Sequence, residues 1–338
     1  MSPLVSCDVL SPRQLAFLAG RLPEPPRART GRPAYSNRDL LPGILRVLRS
    51  GCRWRDLDRS GSPSGVTHWR RLRYWHKRKG YRQVWCTLLN LLVQSKRLDR
   101  SLVSLDGTLI PSQEFAEQTG YSGKHRAVGT KLSLLVDRAG TPIAVSVAPG
   151  NYHDTPLGVL TLANIFKPLP ILRDILPDAA KTAEPTLLAD KGYDSLQFRQ
   201  FVHAQGFQPL IPARQCIPAE QATGELYARD PALQRKRYVV ERTLGWLKGF
   251  PRLRYRVDRT AASFHAFVYL AVLVLCIRRL INPSRVGGPH DAHLSRGAGN
   301  RGSDRHGRAL CPDPAARAPA MSRPAACQTS SRCQCRGA

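Results

Sequence analysis

At 338 residues the chain is long enough to bury a substantial core and to form two domains. Its 52 Lys and Arg against 24 Asp and Glu leave a formal net charge of +28, an excess that points to a polyanionic partner, nucleic acid first among them. The nine cysteines include no paired CxxC motifs and no Cys/His metal spacing, which excludes a zinc module and suits a reduced, cytoplasmic protein.

Residues 1–100 hold 21 Lys/Arg and 6 Asp/Glu, a net of +15, so the charge does not belong to a tail alone. After a first amphipathic patch (Leu15, Phe17, Leu18), the Pro- and Arg-rich stretch 23–33 reads as a linker. Ser36 and Asp39 are spaced as a helix cap, Leu40, Leu41, Ile44, Leu45 and Leu48 follow at helical spacing, and Gly51 supplies a stop. A second helix is expected from Gly65 to Lys79. Val66, Trp69, Leu72 and Trp75 would face a core, with His68, Arg70, Arg71, Arg73 and Lys77 outside. Tyr81, Val84, Trp85, Leu88, Leu89 and Leu92 make a closing helix. This is the pattern of a helix-turn-helix DNA reader; a basic solvated face on a helical bundle is the other reading.

From residue 101 the texture turns to strands. Leu102–Leu105 runs into Asp106-Gly107, and 131–137 with 141–148 flank a turn at Arg138-Ala139-Gly140 as a β-hairpin. A helical region over 157–168 precedes a strand, Thr186–Ala189, that ends at Asp190. Asp194-Ser195 caps a helix starting at Leu196, and a short strand lies near 208–211. Leu233–Lys248 reads as one helix on which Arg237, Glu241 and Lys248 share a stripe about 40° wide, beside apolar Val240, Leu244 and Leu247. The most apolar stretch, Ala266–Ile277, is 12 residues, short of the ~20 that span a bilayer, and reads as a core helix.

Asp106 and Asp190 both sit at the ends of predicted strands, where open α/β sheets bind ligands. Asp before Gly is also an ordinary turn signal, and a Glu on a basic helix is commonly a solvated ion-pair partner. Taken together, Asp106, Asp190 and Glu241 make three carboxylates, 84 (190 − 106) and 51 (241 − 190) residues apart, in a strongly basic chain. Three carboxylates suit two hard divalent cations, which can activate an attacking hydroxyl and stabilise the leaving oxygen of a phosphodiester. Arg237 and Lys248, on the same face as Glu241, would hold the phosphate.

Ordered motifs over residues 10–282 then carry a resemblance. They are Gly31-Arg-Pro, Arg49-Ser-Gly-Cys-Arg-Trp-Arg-Asp56, Leu105-Asp106-Gly-Thr, Val136-Asp-Arg-Ala-Gly-Thr-Pro142, Asn151-Tyr-His-Asp154, Ala189-Asp190-Lys-Gly-Tyr193 and Arg237-Tyr-Val-Val-Glu241-Arg. The chain resembles the DDE transposases of bacterial insertion sequences, in the branch named after insertion sequences four and five. That resemblance implies an RNase H-like α/β catalytic core, an active site of Asp106, Asp190 and Glu241, and Mg²⁺ dependence with two ions, Mn²⁺ substituting. It also implies cutting and joining of element ends by direct transesterification. The family signature Tyr-x2-Arg-x3-Glu-x6-Lys is met at Arg237, Glu241 and Lys248, but Gln234 stands at the tyrosine position.

The expected organisation is an α-helical, helix-turn-helix-like DNA-binding domain over 10–98 and an RNase H-like catalytic domain over 101–282. A disordered basic tail over 283–338 follows, holding 9 Arg and 3 Asp for a net of +6. Arg70, Arg71, Arg73 and Lys77 are the expected DNA contacts of the first domain, joined by Arg237 and Lys248 in the second. The expected partners are double-stranded DNA, as element ends and as target, and further copies of the chain on DNA; the expected setting is the bacterial cytoplasm and nucleoid, with no membrane. Two other functions fit the same residues: a metal-dependent nuclease of this fold without strand transfer, and an inactive copy that only binds element ends.

Overall fold

The structure, a computed structural model, describes residues 9–26, 30, 31, 33–60, 63–166, 184–214 and 225–281. The expected tail over 283–338 and part of the expected linker lie outside them.

Four helices come first: α1 (Pro12–Ala19), α2 (Asn37–Ser50), α3 (Gly65–Lys77) and α4 (Gly80–Gln94). The cap expected for α2 is present in both directions. Ser36 N–H donates to Asp39 Oδ2 (2.9 Å), the Asp39 N–H donates to Ser36 Oγ (3.3 Å), and Gly51 closes the helix at φ 70°. Helix α3 differs from its expected faces. His68 is fully buried and Val66 is exposed, because α3 is packed on α2 on one side and on the long final helix on the other. Gly43 of α2 makes room for the His68 ring: a Cβ there would come within 2.3 Å of Nε2. Arg71 is also buried, donating to Asn37 Oδ1 and to Tyr35 O (both 2.6 Å).

The sheet follows: β1 (Leu102–Pro111), β2 (Gly120–Ser122), β3 (Ala127–Val136), β4 (Pro142–Pro149), β5 (Thr186–Leu188) and β6 (Gln208–Leu210). β3 pairs antiparallel with β1 on one edge and with β4, then β2, on the other. On its far side β1 pairs parallel with β5, and β5 parallel with β6. The order β4-β3-β1-β5-β6, antiparallel in its first half and parallel in its second, is the RNase H-like arrangement. β1 does not end at Asp106, as the Asp-Gly pair suggested. It continues to Pro111 because Thr108–Pro111 pair with Gly129–Leu132, which places Asp106 in mid-strand.

Helices α5 (Asp154–Phe166) and α6 (Leu196–Ala204) follow β4 and β5. The single helix expected over 233–248 is two, α7 (Pro231–Arg235) and α8 (Tyr238–Lys248). Tight i to i+3 bonds from Lys236 N to Leu233 O (2.8 Å) and Arg237 N to Gln234 O (3.1 Å) break it. Side chains alternate across a strand. Thr161 of α5 bonds Ser133 Oγ (2.9 Å) on one face, and α8 covers the face to which Asp106 points. After α9 (Pro251–Arg254), helix α10 (Ala261–Ile281) runs 21 residues, longer than its most apolar stretch suggested and long enough by composition to cross a membrane. It is mostly buried, packed on α3, α4 and α8 and against β4, and it is the central core helix. One apolar core therefore runs from Leu18 to Ile277 through both halves of the chain, across the expected boundary near residue 100.

The α3–α10 contact holds two half-buried histidines in a T-shaped pair, His76 and His265, with ring centroids 6.0 Å apart. Burial, then the neighbouring charges of His76 and Arg256, pushes the His265 pKa down to about 4. The unfolded chain therefore binds this proton first. Stability is full above about pH 6.5 and falls as the pH drops from there towards about 4. The melting temperature should fall between about pH 7 and about pH 4.5, and His265→Phe should fall less. An equal fall would assign the acid sensitivity to other groups.

Candidate active site

The pairing of β1 with β5 builds the site. Leu102, Val103 and Ser104 face Thr186, Leu187 and Leu188. β5 ends at Leu188, level with Ser104, and the chain runs on through Ala189 to Asp190, whose charge acts on Asp106 of the neighbouring strand. Asp190 is exposed, where β5 gives way to a 3-10 turn at Lys191–Tyr193. The third carboxylate arrives from the helix above. Arg237, at the break between α7 and α8, donates to Asp106 Oδ2 (3.0 Å) and to Glu241 Oε1 (2.6 Å). Burial pushes the Asp106 pKa up; its bond from the Gly107 N–H (2.8 Å) and Arg237 oppose this, while Asp190 and Glu241 reinforce it. Lys248, on the same stripe and ~10 Å along the helix from Glu241, is half-buried, and that burial lowers its pKa.

The loop carrying Asp190 is clamped from below. Asp194, fully buried, takes two bonds from Arg199 (2.8 and 2.7 Å) and one from the Arg214 N–H (2.6 Å). Arg199 also donates to Leu226 O and Ile211 O (2.7 Å each), and Arg214 Nη2 reaches Gly192 O (2.9 Å). Behind Asp106, on the opposite face of β1, Gly107 lets the buried Tyr193 ring approach: a Cβ there would sit 3.4 Å from Tyr193 Oη. Asp154, paired to Lys131 (2.7 Å), lies in the same layer. The motifs containing Tyr193 and Asp154 were visible in the sequence, but the support they give Asp106 was not, because it depends on which face of the sheet they approach.

The other expected contacts lie apart from the carboxylates, on α3. Arg70, Arg73 and Lys77 are exposed along one stripe, with Arg73 stacked on the Trp69 ring (4.9 Å). Arg71 is a correction. It faces inward and its guanidinium is consumed by Asn37 and Tyr35, so it is a core arginine and not a DNA contact.

Three carboxylates offer an all-oxygen donor set suited to hard divalent cations. As the side chains stand, no three acidic, His or Cys groups among the described residues converge as a ready metal site. The Arg237 guanidinium lies between Asp106 and Glu241 and supplies their counter-charge. The all-oxygen donor set suits a divalent metal, which would supply the counter-charge that Arg237 supplies to Asp106 and Glu241 here.

An RNase H-like sheet with Asp106 on β1, Asp190 just beyond β5 and Glu241 on the helix above is an arrangement suited to chemistry on a phosphodiester. Comparison with known proteins narrows this. Residues 97–277 match the family described as the transposase DDE domain, and residues 10–85 match the putative transposases of the IS4/5 family. The chain belongs to the DDE transposase family of bacterial insertion sequences. It is similar to the putative transposase of insertion sequence element IS402 of Burkholderia cepacia, 31% identical over 180 residues, 53% of this chain and 78% of that protein. An uncharacterised 16.2 kDa protein of the same element is 39% identical over 100 residues, 29% of this chain and 68% of the relative. The putative transposase of IS6501 from Brucella ovis is 24% identical over 149 residues, 44% and 98% of the two chains. Among solved structures, a pre-cleavage Mos1 transpososome aligns over 76% of this chain and 81% of that one, at 12% identity and a TM-score of 0.29, a loose likeness.

Asp194→Asn should destabilise the protein by about 3–5 kcal/mol, because it leaves Arg199 buried without its counter-charge. Urea unfolding measures this. Stability within about 1 kcal/mol of wild type would mean that the Asp194–Arg199 pair does not hold the Asp190 loop.

Proposed function

We propose that this transposase binds the ends of its own insertion sequence, cleaves them to free 3′-hydroxyls, and joins those hydroxyls to target DNA. Asp106, Asp190 and Glu241 would hold two Mg²⁺ ions, with Mn²⁺ able to replace them. The observation that carries this reading is the pair of bonds by which Arg237 ties Glu241 of α8 to Asp106 of β1, next to the short strand β5 that leads into Asp190. Bound divalent cations supply the activation of the attacking oxygen and the stabilisation of the leaving oxygen.

The rest falls to the chain's own groups. Arg237 neutralises two carboxylates that would otherwise repel a phosphodiester. Its planar fork then passes from Asp106 to the scissile phosphate, which offers the same bidentate geometry. Lys248 holds the backbone ~10 Å further along α8. Tyr193, Asp154 and the Asp194–Arg199 pair keep the aspartates in place. Among the described residues each chain carries one such set, so handling two ends together calls for more than one copy on DNA. This activity places the protein with the nucleoid in the bacterial cytoplasm.

Asp106→Asn, Asp190→Asn or Glu241→Gln should each abolish metal-dependent cleavage while sparing end binding. A cleavage assay with Mg²⁺ on a duplex carrying the element end measures both, and near-normal cutting by one variant would remove that residue from the set. Strand-transfer products in the same assay separate a transposase from a nuclease that only hydrolyses. Binding without cutting by the wild-type chain would identify an inactive end-binding copy.

Arg70→Ala and Arg73→Ala should weaken end binding while leaving the fold intact. If they touch phosphate, the salt slope falls by about 0.9 per contact. If one reads a base edge, preference for the end sequence relaxes by about 1–3 kcal/mol. Arg71→Ala should instead lower the melting temperature. Unchanged affinity for both Arg70 and Arg73 variants would make this stripe a solvated face.

A further inference from the structure

A second concentration of charge lies at the N-terminal end of β1, where the end of α4, the β3–β4 turn and the last turn of α10 meet. An open cavity of about 350 Å³ is lined there by Lys96, Arg97, Arg138 and Arg279, with Asp99 and Ala139 completing the wall. Asp99 is turned to its own chain. Its Oδ1 accepts from the Ser101 N–H (3.0 Å) and hydroxyl (2.6 Å), and its Oδ2 lies 3.9 Å from Arg138, too far for a hydrogen bond. Burial raises the pKa of Asp137 behind the turn, and the charge of Arg279 opposes this, so Asp137 is in part the counter-ion of Arg279. Arg97 donates to a neutral acceptor, Leu280 O, and Lys96 makes no ion pair among the described residues. With both carboxylates counted, the four cations leave an excess of positive charge.

Cations at helix C-termini complement the helix dipole, which accounts for Arg97, at the end of α4, bonding the end of α10. Two features lie outside that account. Arg138 stands on a strand turn, away from any helix end. Lys96 occupies a strained position: α4 closes with the Arg97 N–H on Leu92 O and the Lys96 N–H on Val93 O (both 2.8 Å), with Lys96 at φ 55°. Glycine meets this left-handed conformation without strain. The chain carries a lysine there instead, on the wall of the cavity.

The cavity is separate from the catalytic carboxylates. Thr243 Oγ1 on Gly140 O (3.1 Å) and Arg242 Nη2 on Ala139 O (3.0 Å) fasten the β3–β4 turn to α8. Thr243 projects ~160° around α8 from Glu241. Along β1, ~13 Å of strand runs from Leu102 to Asp106. The lining has no aromatic side chain and one small apolar one, so it offers no slot for a base and no anchor pocket for a peptide. It offers guanidinium and ammonium groups, which match phosphate oxygens.

We propose that this cavity is a second phosphate site, taking the backbone of a DNA segment other than the one at Asp106 without reading its sequence. This rests on the reading of the chain as an end-cutting transposase and adds to it a grip on the far side of α8.

The test uses the full chain, a duplex carrying the element end, an unrelated duplex, and inorganic pyrophosphate as the phosphate probe. Lys96→Gly removes a charge and relieves the left-handed backbone, so it should raise the melting temperature while weakening DNA binding, two effects that a structural role alone would not part. Arg138→Ala, on an exposed turn, is the second variant. On either duplex each should lower the slope of log K against log salt by about 0.9, so the affinity lost between about 50 and 200 mM salt shrinks about 3.5-fold per variant. Pyrophosphate should raise the melting temperature of the wild type more than that of the double variant. Wild-type slopes in both variants would overturn the proposal, and so would equal stabilisation of wild type and double variant by pyrophosphate. Stabilisation lost in the double variant with its DNA slopes unchanged would overturn the assignment to DNA in favour of a free phosphate ligand. A wild-type chain that binds neither duplex would instead overturn the reading on which this one rests.

Discussion

Three backbone pairings between β1 and β5 set the geometry on which the site depends. A strand of three residues has little hydrogen-bonding strength of its own. Its register is fixed by apolar side chains, Leu102, Leu188 and Leu210 on one face with Leu233 packed against them, and Val103 and Leu187 on the other. A slip of one residue would exchange Leu187 and Leu188 between two buried faces and turn Asp190 towards the side on which Val103 and Leu187 pack, taking a carboxylate into the core. The register of this short strand and the setting of Asp190 are therefore fixed together.

Much of this was legible in the sequence, and the misses have physical causes. Ser36, Asp39 and Gly51 act through contacts within a few residues, so the ends of α2 followed from local chemistry. The hairpin around Arg138-Ala139-Gly140 did so for the same reason, Gly140 lying at φ 92°. Asp106-Gly107 misled because a turn signal is overridden when β3 offers partners on both sides of it. Val66 and His68 exchanged faces because α2 takes in the His68 ring against Gly43, on a side of α3 that amphipathicity alone leaves in solvent. Asp106, Asp190 and Glu241 were singled out by their motifs, and the structure brings two of them, Asp106 and Glu241, onto one guanidinium. That Arg237 would stand between these two was not legible, since it depends on the break between α7 and α8.

The positive charge divides into two populations with different physics. Arg71, Arg199, Arg252 and Arg256 are buried, each spending its guanidinium on a carboxylate, a carbonyl or a side-chain oxygen. Removing any of them leaves its partners unsatisfied in a dry interior, a cost to folding before any cost to binding. Arg70, Arg73, Lys77, Arg254 and Arg259 reach solvent and remain available to a polyanion. A net charge of +28 thus overstates the surface offered to DNA and understates how much of the core is held by arginine.

Helix α10 packs on α3 and α4 with one side while contacting α8 and β4 with others. The helices that bear the basic stripe and the sheet that bears Asp106 thereby share a single core among the described residues. If a duplex is gripped at α3, as proposed, the bond that meets Asp106 would be selected by counting along the helix from the gripped sequence. One inserted base pair would carry that bond ~3.4 Å onward and roughly 35° around the axis. Under that proposal the shared core would act as a measuring rod, with its graduation written into the spacing of the element's own ends.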